Sequence, residues 1–151
     1  MAEVTRSATV HWEGDVNEGG GQVDLVSSHA AEGLSVSLPT RSSEQTGGQT
    51  SPEELIAGAH AGCYAMALSL VLSQGGNPPE ALDASAEVAL EKESGGGLRI
   101  SRVDLNVRGR VPGLDADGFA QAAREAEQAC PVSNALRGNV QINVNAELEG
   151  G

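Results

Sequence analysis

The first part of the chain alternates apolar and polar residues with a period of two, which is typical of a strand with one buried face. Residues 8–13 follow this alternation and predict a half-buried β-strand. Shorter alternations predict two more strands at residues 23–25 and 34–38, with a glycine turn at residues 19–21 before them. Pro39 is expected to end this region, and a polar, glycine-containing loop follows it.

A long helix is predicted from Ser51 to about Gln74. Ser51 and Glu54 have the spacing of a capping box, and Pro52 stands where helices accept proline. A Gly-Gly pair follows Gln74 and is typical of the end of a helix. Both boundaries of this helix are therefore predicted from the sequence.

The same helix is apolar on nearly every side, which allows two interpretations. Its length is about the minimum for a membrane span, but its many Ala and Gly residues make it only weakly hydrophobic. A central helix enclosed by protein is therefore favoured. Because one small domain can hardly cover every side of such a helix, the pattern also predicts a homodimer.

The second half of the chain again shows strands with alternating apolar and polar residues, and these strands are longer than those in the first half. Alternating apolar positions predict strands at residues 83–91, 102–108 and 140–148. Asp115 can cap a helix, and a short helix is expected at residues 131–136. The buried face of the capped helix is expected to comprise Phe119, Ala122, Ala123, Ala126 and Cys130. Each group of strands precedes a helix, so the predicted class is α+β with antiparallel sheets, in a single domain over residues 1–151.

Composition narrows the choice of partners. The chain has 151 residues and a net charge of −12, which argues against nucleic acid or an anionic membrane as a partner. The N-terminus lacks a basic segment followed by an apolar one, so no signal peptide is expected and a cytoplasmic location is predicted. Two cysteines in a chain of this length do not form a disulfide framework.

The two cysteines stand in different helical settings, and together they suggest a redox pair. Cys63 lies in the middle of the long helix, where burial makes a thiol inert unless a positive charge is brought to it. Cys130 precedes Pro131 and can be the N-cap of a short helix, whose dipole favours a thiolate. For both cysteines, a packed and unreactive core residue is an equally good interpretation from the pattern alone.

Two further polar residues lie on the long helix. His60 and Cys63 are three residues apart and share a face, which would suit a base–thiol pair or half a metal site, although a packed histidine is favoured. No second dense Cys/His cluster occurs, so neither a metal nor another cofactor is predicted. Glu53 lies ten residues before Cys63, about 15 Å along a helix, so a second subunit or a long side chain such as Arg41 would have to connect them. Alternatively, Glu53 is simply an acidic residue favoured by the first turn.

Three segments carry a resemblance to a known family. Residues 51–69, SPEELIAGAHAGCYAMALS, resemble the central helix of the OsmC/Ohr family of thiol-dependent organic hydroperoxide reductases. Residues 130–136, CPVSNAL, are similar to the second-cysteine motif of that family, and residues 8–15 resemble the start of its OsmC branch. Arg41 matches the family arginine in the loop before the helix, which also favours that branch. The chain departs from the family pattern at Ser42, where an aromatic residue is expected, and at Tyr64, where Phe is usual.

The resemblance implies a fold, a reaction and a set of roles. The fold would consist of antiparallel sheets wrapped around a long central helix, in an intertwined homodimer with its sites at the interface. The protein would reduce organic hydroperoxides to alcohols in defence against oxidative or osmotic stress. Cys63 would be the peroxidatic thiol, Cys130 the resolving thiol, and Arg41 and Glu53 their polar partners. An external dithiol, such as a lipoyl-bearing protein, would reduce the resulting disulfide. The alternative is a redox sensor or stress-inducible binding protein that uses the same disulfide as a switch without catalysis.

Overall fold

The computed structural model describes residues 2–150, and the chain divides into two compact units. The first unit ends at Pro52 and the second begins at Glu53. Each unit has its own three-stranded sheet. That the two units act as the single predicted domain stays a prediction.

The first unit consists of an antiparallel sheet and one short helix. Its strands are β1 (Thr9–Glu13), β2 (Gly20–Asp24) and β3 (Leu34–Val36), and they pair in the order β1-β2-β3. The helix α1 (Leu38–Arg41) follows β3 directly. The sequence predicted all three strands, but not the helix.

The turn between β1 and β2 lies earlier than expected. Asp15 makes it, because its carboxylate accepts hydrogen bonds from the backbone N–H groups of Asn17 and Glu18 at 2.8 Å each. Two of the glycines predicted to form the turn belong to β2 instead. Gly21 faces Trp12 in the ladder, and a Cβ at this glycine would lie 2.8 Å from the indole ring. The glycine is thus required by close packing in the sheet rather than by a turn.

Two other expectations for this region are wrong. Pro39 does not end a strand, because Ser37 caps α1 and places the proline in its first turn, where a missing N–H costs nothing. Arg41 is therefore the last residue of a helix rather than part of a loop. Strand β1 was predicted to be half-buried, yet all five of its residues are exposed in this chain.

The second unit contains the long helix, a second sheet and two shorter helices. In chain order its elements are α2 (Pro52–Gln74), β4 (Ala81–Lys92), β5 (Leu98–Arg110), α3 (Ala116–Ala129), α4 (Pro131–Leu136) and β6 (Gln141–Leu148). The bounds of α2 and α4 match the prediction. Helix α2 ends where Gly76 takes a positive φ of 86° and the N–H of Asn77 bonds to the carbonyl of Leu72 at 2.9 Å.

The α+β class is confirmed, but the second sheet is not wholly antiparallel. Strands β4 and β5 form an antiparallel hairpin, whereas β5 and β6 are parallel. A parallel pair needs a crossover of a dozen or more residues, and the α3–α4 segment supplies it. The alternation along β6 gives its buried face but carries no information about its direction.

The core of the second unit is built mainly from aliphatic side chains. One stripe of α2, which includes Tyr64 and Leu68, is fully buried, as are Val103 on β5 and Phe119 on α3. Asp115 caps α3 by accepting a hydrogen bond from the N–H of Gly118 at 2.8 Å. All five residues predicted for the apolar face of α3, from Phe119 to Cys130, are buried. Both cysteines belong to this core or pack against it.

Candidate active site

The second unit brings the two cysteines together. Cys63 lies in the middle of α2 and Cys130 in the junction between α3 and α4, yet their Sγ atoms are 3.2 Å apart. Both are free thiols; Cys130 is fully buried and Cys63 partly so. A disulfide has an S–S distance of about 2.05 Å, so a movement of roughly 1 Å would join them. The predicted proximity of the pair is confirmed.

Cys130 occupies the N-cap position of α4, as the sequence predicted. Burial alone would raise the pKa of this thiol, but the polar groups of Ser133 and Val132 in the first turn of α4, together with Cys63, lower it. The start of a helix thus supports a negative charge on Cys130.

Cys63 is affected in the opposite direction. Burial raises its pKa, the backbone of Val132 offsets part of this effect, and the adjacent Cys130 raises the pKa further. Within the pair, the proton is therefore favoured on Cys63 and the negative charge on Cys130. For Cys63 to attack as a thiolate, a positive charge beyond these neighbours must act on it.

A buried serine and histidine adjoin the pair. Ser133 and His60 are both fully buried, and the Nε2 atom of His60 lies 2.7 Å from the Oγ atom of Ser133. Burial lowers the pKa of His60, although Glu127 partly offsets this effect, so the ring is neutral near pH 7. The imidazole of His60 is therefore hydrogen-bonded to Ser133. It does not form the base–thiol pair with Cys63 that the spacing of three residues had suggested. Within residues 2–150 there is no cluster of three or more His, Cys, Asp or Glu side chains suited to a metal.

Sequence reasoning assigned no role to Ser133, although the motif that contains it was singled out. A usable signal existed, since a polar side chain three residues after an N-cap commonly interacts with the cap. The partner His60, in contrast, is 73 positions away in the chain. No local pattern predicts a hydrogen bond over that separation.

Tyr64, one of the two departures from the family pattern, is accommodated without an unpaired hydroxyl. Its O–H donates to the backbone carbonyl of Ala123 on α3 at 2.9 Å, and the side chain is fully buried. Burial also raises its pKa well above the usual range, so the phenol stays protonated. The hydroxyl of Tyr64 therefore links α2 to α3 by a hydrogen bond, and we assign it no role in the reaction.

Arg41 and Glu53 lie in different units. Arg41 ends α1 and lines a cavity of about 320 Å³ in the first unit. The remaining lining residues are mostly apolar: Trp12, Val16, Val36, Ser37, Leu38 and Pro52. Glu53 is buried in the first turn of α2, ten residues before Cys63 and so about 15 Å away along the helix axis. The roles of both residues towards Cys63 stay predictions.

Comparison with known proteins gives a consistent result. The family model described as "OsmC-like protein" matches residues 45–145. The chain is 36% identical over 140 residues to "Peroxiredoxin OsmC" of Escherichia coli (strain K12), covering 93% of this chain and 95% of that protein. It is 32% identical over 131 residues to an "Organic hydroperoxide resistance protein" of Xanthomonas axonopodis pv. citri (strain 306), covering 83% and 87%. Among solved structures, an organic hydroperoxide resistance protein from Elizabethkingia anophelis matches with a TM-score of 0.77 at 25% identity, covering 97% of this chain and 98% of that chain.

Proposed function

The chain belongs to the OsmC-like protein family, and from this premise we propose that it reduces organic hydroperoxides to alcohols through a cycle of Cys63 and Cys130. The names of its relatives support a peroxidase-type function. The observation that carries the dithiol mechanism is the 3.2 Å separation of the two sulfur atoms. A catalytic cycle needs one sulfur that attacks the peroxide and one that then forms the disulfide. Cys63 is partly exposed, as an attacking sulfur must be, and Cys130 is buried beside it at the start of α4.

In the first step, the Cys63 thiolate attacks the terminal oxygen of the hydroperoxide. A sulfur–oxygen bond forms, the oxygen–oxygen bond breaks, and the alkoxide takes up a proton and leaves as the alcohol. The peroxide is reduced by two electrons, and Cys63 becomes a sulfenic acid. The position of Cys63, only partly exposed on an apolar helix, favours a substrate with an alkyl group over hydrogen peroxide.

In the second step, the Cys130 thiolate attacks the sulfur of the Cys63 sulfenic acid. A disulfide forms, and the hydroxide that leaves is protonated to water. An external dithiol then reduces the disulfide by thiol–disulfide exchange and is itself oxidised to a disulfide. A lipoyl-bearing protein is a reductant of suitable chemistry.

Arg41 and Glu53 are the proposed polar partners of Cys63. A guanidinium stays charged at any working pH. Arg41 can therefore supply the positive charge that lowers the pKa of Cys63, which burial raises. A carboxylate such as Glu53 can orient it by a two-pronged hydrogen bond. The apolar cavity that Arg41 lines supports the binding of an alkyl group near this arginine.

A homodimer is the proposed assembly. Only 28% of the most apolar 18-residue window of α2 is buried within the chain, and Met66 and Leu70 are 74% and 58% exposed. By length and composition this helix is also apolar enough to cross a membrane. A second copy of the chain covers the exposed side without requiring a lipid phase, and the protein's charge of −12 disfavours an anionic surface.

A steady-state assay with cumene hydroperoxide and dihydrolipoamide tests the proposal. The wild-type protein should turn over many times per site and should prefer cumene hydroperoxide to hydrogen peroxide. The Cys63→Ser variant should consume no peroxide, and Cys130→Ser should complete one turnover and then stall as a sulfenate. Full activity of Cys63→Ser would rule out the mechanism, while one peroxide per site in the presence of excess dithiol would identify a sensor instead.

A further inference from the structure

The corner between α3 and α4 consists of a single residue. Helix α3 ends at Ala129 and α4 begins at Pro131, so Cys130 alone connects them, with an extended backbone at φ −70° and ψ 118°. Its N–H donates to the carbonyl of Ala126 at 2.9 Å, and its carbonyl accepts from the N–H of Asn134 at 3.0 Å. The two sides of the Cys130 backbone are thus attached to different helices. A change in the angle between these helices therefore moves the Cys130 sulfur.

A clasp of two side chains, Glu127 and Arg137, spans this corner. Glu127 lies in the last turn of α3, and Arg137 is the C-cap of α4. Nη1 of Arg137 donates to Oε1 of Glu127 at 2.7 Å, and Nη2 donates to the backbone carbonyl of Glu127 at 3.0 Å. Nη2 also donates to Oδ1 of Asn134 on α4 at 3.0 Å. One guanidinium thus ties the end of α3 to the end of α4, across Cys130.

The clasp differs from an ordinary ion pair on the surface. Only 10% of the Glu127 side chain is exposed, and its second carboxylate oxygen accepts from Gln128 at 2.9 Å. The backbone carbonyl of Glu127 cannot complete the helical ladder, because the residue four positions later is Pro131, which has no N–H. Arg137 supplies the missing donor, at the end of a helix where a cation is favoured. The contacts of Arg137 therefore belong to this corner and are not replaceable by the backbone.

We propose that Arg137 and Glu127 are positioning residues that hold the Cys130 sulfur within reach of Cys63 for disulfide closure. This inference rests on the proposed function and deepens it. In closure, Cys130 gives up its proton and its sulfur bonds to that of the Cys63 sulfenic acid. The sulfur–oxygen bond breaks, and the departing hydroxide takes up a proton to become water. The oxidising equivalents are those of the hydroperoxide already consumed.

A merely structural role is the competing interpretation, because the same contacts also stabilise the fold. The two roles differ in their effect on the reduction potential of the Cys63–Cys130 disulfide. Contacts that stabilise the reduced and oxidised forms equally leave this potential unchanged. A clasp that prepares the reduced form for closure does not, because its removal makes the corner pay an ordering cost when the disulfide forms.

The first test is a redox titration of Arg137→Gln in mixtures of reduced and oxidised glutathione. Oxidised glutathione converts the two thiols to the disulfide by exchange and is itself reduced to two glutathione thiols, so no peroxide is needed. The equilibrium constant for forming the protein disulfide should fall about tenfold in the variant, which raises its reduction potential. An unchanged potential would overturn the proposal. A lower potential would also overturn it, because the clasp would then keep the two sulfur atoms apart.

Arg124→Gln is the matched control, because it removes the same charge from an exposed position of α3. Its potential should equal that of the wild type, and a rise equal to that of Arg137→Gln would overturn the proposal by assigning the effect to net charge. Arg137→Lys serves should Arg137→Gln fail to fold. Lysine keeps the charge but lacks the planar fork that bridges a carboxylate and a carbonyl. Its potential should rise by a smaller amount, and an unchanged potential would contradict the positioning role.

Single-turnover kinetics with one equivalent of cumene hydroperoxide test the same role within the reaction. In Arg137→Gln, peroxide consumption should keep its wild-type rate, because the attack by Cys63 precedes closure. Disulfide formation should slow about tenfold, so the sulfenic acid should accumulate. Equal rates of closure in the variant and the wild type would count against the proposal.

The redox titration also separates failure of this inference from failure of the proposed function. If the wild-type protein reduces no hydroperoxide but the potential of Arg137→Gln is raised, only the proposed function fails. If the wild-type protein is active but the potential of the variant is unchanged, only the positioning role fails.

Discussion

At the scale of single residues, the two sulfur atoms are adjacent but differ chemically. The polar groups at the start of α4 lower the pKa of Cys130, while burial raises the pKa of Cys63. For Cys130, the proposed resolving thiol, these groups are enough to stabilise a thiolate. For Cys63, the proposed peroxidatic thiol, a further positive charge is needed, and the proposed mechanism assigns it to Arg41.

The role of Arg41 gives a prediction about pH. Arg41→Ala should raise the pKa of Cys63, so that less thiolate is present at any given pH below it. The acid limb of the kcat/KM profile should therefore move to higher pH, with a loss of about tenfold or more at pH 7.

The control for this variant is Arg6→Ala, which removes the same charge from an exposed position in the same unit. Its profile should match that of the wild type. If the Arg41→Ala and wild-type profiles have the same acid limb, another group supplies the field at Cys63.

Individual residues were predictable where their neighbours in sequence define their environment. Cys130 followed by Pro131 identified the N-cap. The apolar run around Cys63 predicted a buried thiol, whereas the structure shows a partly exposed one. The bond between His60 and Ser133 could not be predicted, because tertiary packing alone brings these distant positions together.

At the scale of elements, the helices were predicted well because their ends carry chemical signals. Asp115, Pro52 and the Gly-Gly pair after Gln74 mark boundaries that the structure reproduces. Helix α1 was missed because its four residues are too short to show a periodicity. The direction of β6 was missed because alternation is the same in parallel and antiparallel strands.

The packing of α3 on β5 yields a prediction about stability. A Cβ at Gly109 would lie 2.6 Å from two atoms of the Phe119 ring, which is fully buried and cannot move aside easily. Gly109→Ala should therefore lower the free energy of unfolding by about 1–3 kcal/mol, measured by urea denaturation.

Gly95→Ala is the matched control, because a Cβ at Gly95 meets no atom within 4 Å. Its free energy of unfolding should stay within about 0.5 kcal/mol of the wild type. Equal stability of the two variants would mean that α3 does not press on β5 as described.

At the scale of the whole molecule, apolar surface remains uncovered in both units. Trp12 and Val10 are exposed in the first unit, and Met66 and Leu70 in the second. The sequence predicted an enclosed α2, but its own chain covers only one side of this helix. The proposed second copy of the chain would cover the exposed side of α2. The family itself was predictable from the two cysteine motifs.

The proposed dimer leads to a prediction about association. The double variant Met66→Glu/Leu70→Glu places two charges on the exposed apolar side of α2. Burying them without partners should weaken association by roughly a hundredfold or more, which light scattering after size-exclusion chromatography would measure.

The control double variant Ser73→Glu/Gln74→Glu adds the same charge to exposed positions at the end of the same helix. It should remain dimeric. A monomeric wild-type protein, or an unaffected Met66→Glu/Leu70→Glu dimer, would contradict the assembly proposed here.

The proposed mechanism requires that Cys63 and Cys130 form one redox pair that a hydroperoxide oxidises. The most direct measurement is peptide mapping by mass spectrometry after the reduced protein has reacted with one equivalent of cumene hydroperoxide. We expect one alcohol per site, an intramolecular Cys63–Cys130 disulfide, and full reduction by dihydrolipoamide. Consumption of the peroxide with both cysteines still present as free thiols would contradict the account.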